Sequence, residues 1–305
     1  YYPNNMNSGA EAEADNLIGL TDRLRVNLAG SLTSYPLTDR NGNTVTGGEV
    51  PYFDLNAGYT ADPQESINYI SKHDNQTLWD NLMYKAASGM STSERVRMHN
   101  FSLSVPMLAQ GIPFIHMGVD LLRSKSMERD SYDSGDWFNR VDFTGQSNNW
   151  NIGLPREDKD SGNYDVIAQI ISDANANPDA ADIALANAVF KEWLAIRSSS
   201  PLLRLTTAAQ VESNLTFHNT GPDQVPGLMV MSLTDNQGLD SQYAAMVVVF
   251  NPSNTEQTIN NPVNGTLQLH PVQQSSADAI TASASVSGNL LKVPALTTAV
   301  FVQMD

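Results

Sequence analysis

The order of apolar and polar positions divides the chain into an irregular opening, a region of alternating strands and helices, and a strand-rich end. Four leucines at helical spacing predict one helix over residues 10–29. The sequence Asp39-Arg-Asn-Gly42 predicts a tight turn, because Asn-Gly accepts a positive φ at little cost. Residues 47–63 contain aromatic residues and prolines, and we expect a surface loop there.

Residues 66–119 carry a strand–helix–helix–strand pattern. An apolar run at residues 67–70 predicts a short strand, and the helix that follows it places leucines, a tryptophan and a methionine on one face. The capping box Ser91-Thr-Ser-Glu94 opens a longer helix that ends at Gly111. Residues 112–119 then predict a buried strand. This order is typical of the β/α units of a parallel sheet or barrel, which carry their chemistry after the carboxyl ends of the strands.

The rest of the chain changes from a long polar segment to strands. Residues 123–163 are rich in Asp, Asn, Ser and Gly, and ordered loops of that length are usually functional. Alanine-rich residues 180–199 predict a helix. Strand-like runs separated by turn residues predict an antiparallel sandwich over residues 211–217, 228–233, 244–250, 266–269 and 299–302. We therefore expect an α/β domain over residues 1–200 and an all-β domain over residues 201–305.

Composition and charge narrow the class of protein. With 41% apolar and 16% charged residues, the 305-residue chain is of the globular type. Its 17 basic and 33 acidic residues give a net charge of −16, which argues against nucleic acid and anionic lipid as partners. The absence of cysteine excludes disulfides and thiolate chemistry. We also expect no membrane span, and no signal peptide at the start of this chain.

The polar cluster after the first predicted strand of the alternating region is the leading candidate for chemistry. It contains His73, Asp74 and Asn75. A carboxylate at that position can act as a base, a nucleophile or an electrostatic stabiliser, and the imidazole can donate to a substrate hydroxyl. The structural alternative is a helix cap, in which Asp74 or Asn75 satisfies free N–H groups of the next helix. For a bare His-Asp pair, capping is the more frequent role.

Several motifs in order give the chain a family resemblance. Tyr69-Ile-Ser-Lys-His-Asp-Asn-Gln76 resembles the fourth conserved motif of the α-amylase superfamily, in the extended form seen in pullulanases. The segments Gln110-Gly-Ile-Pro-Phe114 and Leu121-Leu-Arg-Ser-Lys-Ser126 are similar to the same family pattern. So is Arg129-Asp-Ser-Tyr-Asp-Ser-Gly-Asp-Trp-Phe-Asn139. By this resemblance, the chain is identified as the C-terminal part of a pullulanase-like glycoside hydrolase.

The resemblance implies a mechanism and a place for this chain within it. Members of the family retain anomeric configuration through a covalent intermediate, using an Asp nucleophile, a Glu acid/base and a second, stabilising Asp. The stabiliser matches Asp74, with His73 and Asn75 binding the same sugar. The other two carboxylates have no match here. We therefore expect a fragment that begins between the sixth and seventh strands of a (β/α)8 barrel and is followed by an antiparallel β-sandwich. Its partner would be the N-terminal portion of the same enzyme.

The resemblance also implies sugar contacts in the long polar segment. Asp130 matches a family position that reaches the donor-side glucose, and Arg129 and Tyr132 are further candidates. The alternative is a surface loop held by its own hydrogen bonds, with Trp137 and Phe138 as packed anchors. No cofactor is required for the chemistry. A structural Ca²⁺ is implied by the family, with acidic clusters at residues 130–136 and 158–160 as the places for it.

The leading hypothesis for function is hydrolysis of α-1,6-glucosidic links in pullulan, amylopectin and limit dextrins by a secreted, extracellular or cell-surface bacterial enzyme. One alternative is another α-glucan hydrolase, such as a limit dextrinase, an isoamylase or an amylopullulanase. A second alternative is a non-catalytic carbohydrate-binding fragment, which the lack of two catalytic carboxylates favours. Against a stand-alone fragment, a partial barrel exposes large apolar surfaces that need a cover.

Overall fold

The long helices lie in the first two thirds of the chain, and the long strands lie in the last third. The structure is a computed structural model that describes residues 3–6 and 12–305. Within that part, the helices are α1 (Ala12–Leu28), α2 (Leu78–Lys85), α3 (Thr92–Leu108), α4 (Asp136–Asn139), α5 (Glu157–Asp160), α6 (Tyr164–Ser172), α7 (Ala180–Ser199), α8 (Ala208–Asn214), α9 (Pro271–Gln274) and α10 (Ala279–Ala282). No helix of this described part is long and apolar enough to cross a membrane.

The strands range from two to nine residues, and short 3-10 turns lie between several of the elements. The strands are β1 (Pro36–Thr38), β2 (Thr44–Thr46), β3 (Pro51–Tyr52), β4 (Leu55–Asn56), β5 (Ile67–Asn68), β6 (Ile112–Pro113), β7 (Leu215–His218), β8 (Met229–Thr234), β9 (Tyr243–Asn251), β10 (Gln257–Asn260), β11 (Gln268–Leu269), β12 (Ser285–Ser287), β13 (Leu290–Val293) and β14 (Thr297–Met304).

The chain forms two compact units, and the first comprises residues 1–13, 69–103 and 115–190. Its core is built around Trp79, which is fully buried and donates its indole N–H to the carbonyl of Ala176 at 3.2 Å. The predicted apolar face of α2 is confirmed, because its leucines and Met83 are buried there. The predicted capping box is confirmed at α3, where Glu94 accepts from the backbone N–H of Ser91 at 2.9 Å. Helix α6 was not predicted.

The second unit comprises residues 14–68, 104–114 and 191–305. It contains an antiparallel five-stranded sheet in the order β11-β14-β9-β8-β7 and an antiparallel three-stranded sheet in the order β10-β13-β12. Almost every position of β9 is buried, which explains why its continuous run of valines and Phe250 carries no polar alternation. The predicted boundary after residue 200 is not tested by this division and stays a prediction.

Most predicted elements of the second unit are present, with some corrections. The predicted helix is confirmed as α1 over residues 12–28, while residues 10–11 lie outside the described residues. The turn at Asp39 is confirmed by the β1–β2 hairpin, where Gly42 has φ +85°. Residues 47–63 lie at the surface but contain the small β3–β4 hairpin. The strand predicted at residues 211–217 is wrong in its first part, because Thr207 caps helix α8 there. Strands β10, β12 and β13 were missed.

The two strands of the alternating region form a parallel pair, β5 with β6. The prediction of a buried strand over residues 112–119 is wrong, since β6 has only two residues and Ile112 and Phe114 are about half exposed. Ile67 on β5 is exposed as well. The physical reason is that, within the described residues, this sheet has only two strands, so neither pairing nor packing extends β6 further.

Arg197 on α7 holds the carboxyl end of α3. Its buried guanidinium donates to the carbonyls of Met107 and Ala109 and to that of Gly111, at 2.8–2.9 Å. The last carbonyls of a helix have no partner inside the helix, and a cation near them is favoured by the helix dipole. Burial lowers the pKa of Arg197 to about 10, so the group remains charged at neutral pH.

We expect Arg197→Met to lower the free energy of unfolding by roughly 3 kcal/mol, because buried carbonyls lose a charged donor. Urea unfolding followed by circular dichroism measures this change. Arg204→Met is the matched control, because Arg204 is exposed. Equal stability of the Arg197 variant and the control variant would contradict the capping role.

Candidate active site

The segment between β5 and α2 forms a loop, residues 69–77, that carries the predicted chemistry. Asn75 has φ +60°, a left-handed conformation that asparagine tolerates better than most residues. Thr77 is the N-cap of α2, because its side chain accepts from the backbone N–H of Asp80. The alternative in which Asp74 or Asn75 caps the helix is therefore wrong. Asp74 is left for other interactions.

Asp74 lies exposed among cations. Its carboxylate accepts a hydrogen bond from Lys72, and the imidazole Nε2 of His73 lies 3.4 Å from its Oδ1. The hydrogen bond from Lys72, together with the charges of His73 and Lys125, lowers the pKa of Asp74. The side chains of Asp74 and His73 are 60% and 84% exposed. The loop therefore presents an ionised carboxylate and an imidazole to solvent.

A buried network lies behind this loop. Lys125, 1% exposed, donates from Nζ to the main-chain carbonyl of His73 at 2.9 Å. The main-chain N–H of Lys125 and the hydroxyl of Ser124 donate in turn to the carboxylate of Asp80, at 2.7 and 2.5 Å. Asp80 has no exposed surface, and its burial raises its pKa to about 6 against the opposing effect of these donors.

The long polar segment is organised around Lys159. Its ammonium group donates to the carbonyl of Asp130 and to the carboxylate of Asp133, and it lies 4.3 Å from the ring centroid of Tyr132. Arg129 forms a separate ion pair, 3.3 Å from Asp160. The structure thus brings Asp130 and Tyr132 together around Lys159, and it brings His73 and Asp74 together in the loop that also carries Asn75.

The two predicted anchors of this segment behave differently. Phe138 is buried, as the packed-anchor alternative predicts. Trp137 is 60% exposed, so the prediction of a packed anchor is wrong for it. Its ring lies over Gly135, where the φ of +119° and the close approach of the indole leave no room for a side chain. The backbone at Gly135 therefore passes close beneath the indole ring, and the indole remains exposed.

The acidic clusters that were predicted as places for Ca²⁺ form ion pairs with basic side chains. Asp133 and Asp158 pair with Arg156, while Asp130 and Asp133 pair with Lys159. Among the residues that the structure describes, no group of three or more His, Cys, Asp or Glu side chains has the arrangement of a metal site. A structural Ca²⁺ stays a prediction.

Comparison with known proteins identifies the family of this chain. Residues 145–304 match the C-terminal family of pullulanase-type alpha-1,6-glucosidases. The chain belongs to this family. The resemblance inferred from the motifs at residues 69–76 and 129–139 is thereby confirmed.

Curated relatives and solved structures agree with the assignment. The chain is 42% identical to the pullulanase of Klebsiella pneumoniae over 276 residues, which are 89% of this chain and 25% of that protein. It is 40% identical to the chloroplastic pullulanase 1 of Arabidopsis thaliana, covering 99% of this chain and 32% of that protein. A crystal structure of the Klebsiella pneumoniae pullulanase complexed with maltotriose matches with a TM-score of 0.94 and 41% identity, over 100% of this chain and 29% of that chain.

This pullulanase-type chain therefore spans about a quarter to a third of the length of its relatives, and its fold of mixed helices and strands with a sheet-rich part matches their C-terminal region. The sequence hypothesis missed Asp80, Lys125 and Lys159. Lys125 and Asp80 could have been recognised from the sequence. Both are charged residues inside apolar or motif-bearing segments, where an unpaired charge is costly. Lys159 gave no such signal, because its segment is polar throughout.

The buried Asp80 makes the stability of the protein depend on pH. Its pKa is raised from 3.8 to about 6, so the folded state binds the proton more tightly than the unfolded state. The contribution of Asp80 to the free energy of unfolding is therefore fully present below pH 3.8 and is lost as the pH rises through 6. We expect the stability of the wild type relative to Asp80→Asn to fall over that interval and then to level off. Urea unfolding at a series of pH values measures it, and parallel curves for the two proteins would contradict it.

Proposed function

We propose that this chain contributes part of the active site of a retaining glycoside hydrolase that cleaves α-1,6-glucosidic branch links in pullulan, amylopectin and limit dextrins. The observation that carries the proposal is Asp74, an exposed carboxylate surrounded by cations within the family motif that follows β5. Family membership and relatives named pullulanase support it. The activity is proposed for the whole protein, because the chain spans 25% to 32% of those relatives.

In the proposed mechanism, Asp74 stabilises the transition state. Glycoside cleavage places positive charge on the sugar ring, and a fixed carboxylate beside the ring interacts more strongly as that charge develops. The lowered pKa of Asp74 keeps the group ionised for this purpose. His73 and Asn75 donate hydrogen bonds to hydroxyls of the same sugar. The nucleophile and the acid/base come from the N-terminal portion of the same protein.

The long polar segment is proposed to bind further sugar residues. Tyr132 is 84% exposed, and an aromatic ring of this kind can stack on the apolar face of a pyranose. Asp130 has a half-exposed carboxylate, which can accept from sugar hydroxyls, and Arg129 can donate to them. The ion pairs with Lys159 and Asp160 hold these side chains in place.

The finer architecture is part of the proposal. The parallel pair β5–β6 would be the seventh and eighth strands of a (β/α)8 barrel, and the half-exposed side chains of Ile67, Ile112 and Phe114 would pack against the N-terminal portion. The five-stranded and three-stranded sheets would form the two layers of a sandwich after residue 200. Secretion to the outside of a bacterial cell remains part of the same hypothesis.

Asp74→Asn tests the proposed role. We expect kcat on pullulan to fall on the order of 10³-fold, because the neutral amide no longer stabilises the developing positive charge. The release of reducing ends by the protein at its natural length measures this, and thermal unfolding shows whether the fold is retained. The control is Asp165→Asn, which neutralises an exposed carboxylate on α6. Near-normal turnover of a folded Asp74 variant contradicts the role.

A further inference from the structure

Lys125 closes a ring of contacts behind the loop that carries Asp74. The chain runs from His73 through the cap of α2 to Asp80, whose carboxylate accepts from the backbone N–H of Lys125 at 2.7 Å. The Lys125 side chain then returns to the carbonyl of His73 at 2.9 Å. The ring joins the middle of the loop to the helix that follows it, so the peptide between His73 and Asp74 is supported from the interior.

The turn that carries Lys125, residues 122–127, has unfavourable backbone angles and needs hydrogen-bond partners. Leu122, Ser126 and Met127 adopt left-handed backbone angles, with φ of +54°, +53° and +67°. Such angles are unfavourable for residues other than glycine, because the Cβ atom approaches the backbone. Asp80 compensates by accepting from Ser124, Lys125 and Met127, with the Met127 N–H at 3.3 Å. Without Asp80, the donors of this turn would be buried and unpaired.

We propose that Lys125 is a positioning residue for Asp74, acting through the main-chain carbonyl of His73, and that Asp80 holds Lys125 in place. This inference rests on the proposed function. Lys125 does not touch substrate, because it is 1% exposed. Its ammonium group fixes the orientation of the peptide between His73 and Asp74, and with it the direction of the Asp74 side chain. It also adds a positive charge near Asp74 besides that of the partly exposed Lys72.

The first test is Lys125→Met, which keeps the length and the apolar stem and removes the charge and the N–H donors. We expect kcat on pullulan to fall about 100-fold, as a catalytic group displaced by about 1 Å does, while KM changes less than about threefold. A role in folding alone would lower only the amount of folded protein, so kcat is calculated per folded molecule, and an unchanged kcat per folded molecule would contradict the positioning role. Lys85→Met is the matched control, because Lys85 is exposed at the end of α2, the helix that carries Asp80.

A second test uses the space that a shortened side chain leaves. In Lys125→Ala, ethylammonium ions in the buffer can enter that space and donate to the carbonyl of His73. We expect them to raise kcat at least about tenfold over the untreated variant. Tetramethylammonium has the same charge and no N–H donor, so we expect no recovery with it. Equal effects of the two ions, or none from either, would overturn the assignment of the hydrogen bond.

Ser124→Ala covers the case in which the Lys125 variants do not fold. It removes one donor to Asp80 and the acceptor of the Ser126 N–H, and it leaves the backbone bonds from Lys125 and Met127 to Asp80 in place. We expect kcat to fall about three- to tenfold at unchanged KM, and an unchanged kcat would overturn the inference. The outcomes separate the two proposals. A wild type that releases no reducing ends from pullulan contradicts the proposed function, whereas an active wild type with a fully active, folded Lys125→Met contradicts only the positioning role.

Discussion

The carboxylate of Asp80 has no contact with solvent, and yet it accepts from a hydroxyl and from two backbone N–H groups of one turn. A buried carboxylate without such partners would be expensive, and so would buried N–H donors without an acceptor. The two costs offset each other only when α2 and the turn at residues 122–127 occupy one relative arrangement. That arrangement fixes Lys125, and through it the backbone of His73. The exposed side chains of His73 and Asp74 therefore depend on a contact in the interior.

Electrostatics around the site differ from those of the whole chain. The net charge is −16, but the charged groups nearest to Asp74 are cations: Lys72, Lys125 and, when protonated, His73. The hydrogen bond from Lys72, together with the charges of these groups, lowers the pKa of Asp74 although the chain as a whole is acidic. In the long polar segment, Arg156 and Lys159 similarly balance several carboxylates. The acidic surplus lies elsewhere, where it serves solubility more than binding.

Hydrophobic periodicity predicted the elements whose formation depends mainly on their own local sequence. Helix α7 begins and ends at the predicted residues, and the apolar face of α2 packs as expected, because helical spacing and capping are local properties. The length of β6 could not be predicted in this way, since a strand extends only as far as its neighbours pair with it. Motif resemblance indicated His73 and Asp74. It could not show that Lys125 reaches His73, because that contact joins residues 52 positions apart in the sequence.

The two lysines near Asp74 hold the same loop in different ways, and the difference matters for the proposed function. Lys72 is about one third exposed and bonds directly to the carboxylate, so in the proposed function sugar hydroxyls would share or take over its place at the surface. Exposed ion pairs contribute little to stability, and this exchange is therefore inexpensive. Lys125 bonds to a backbone carbonyl in the interior, which no sugar can reach. In the proposed function, Asp74 would keep its direction while sugars bind and leave, because Lys125 supports its backbone from the interior.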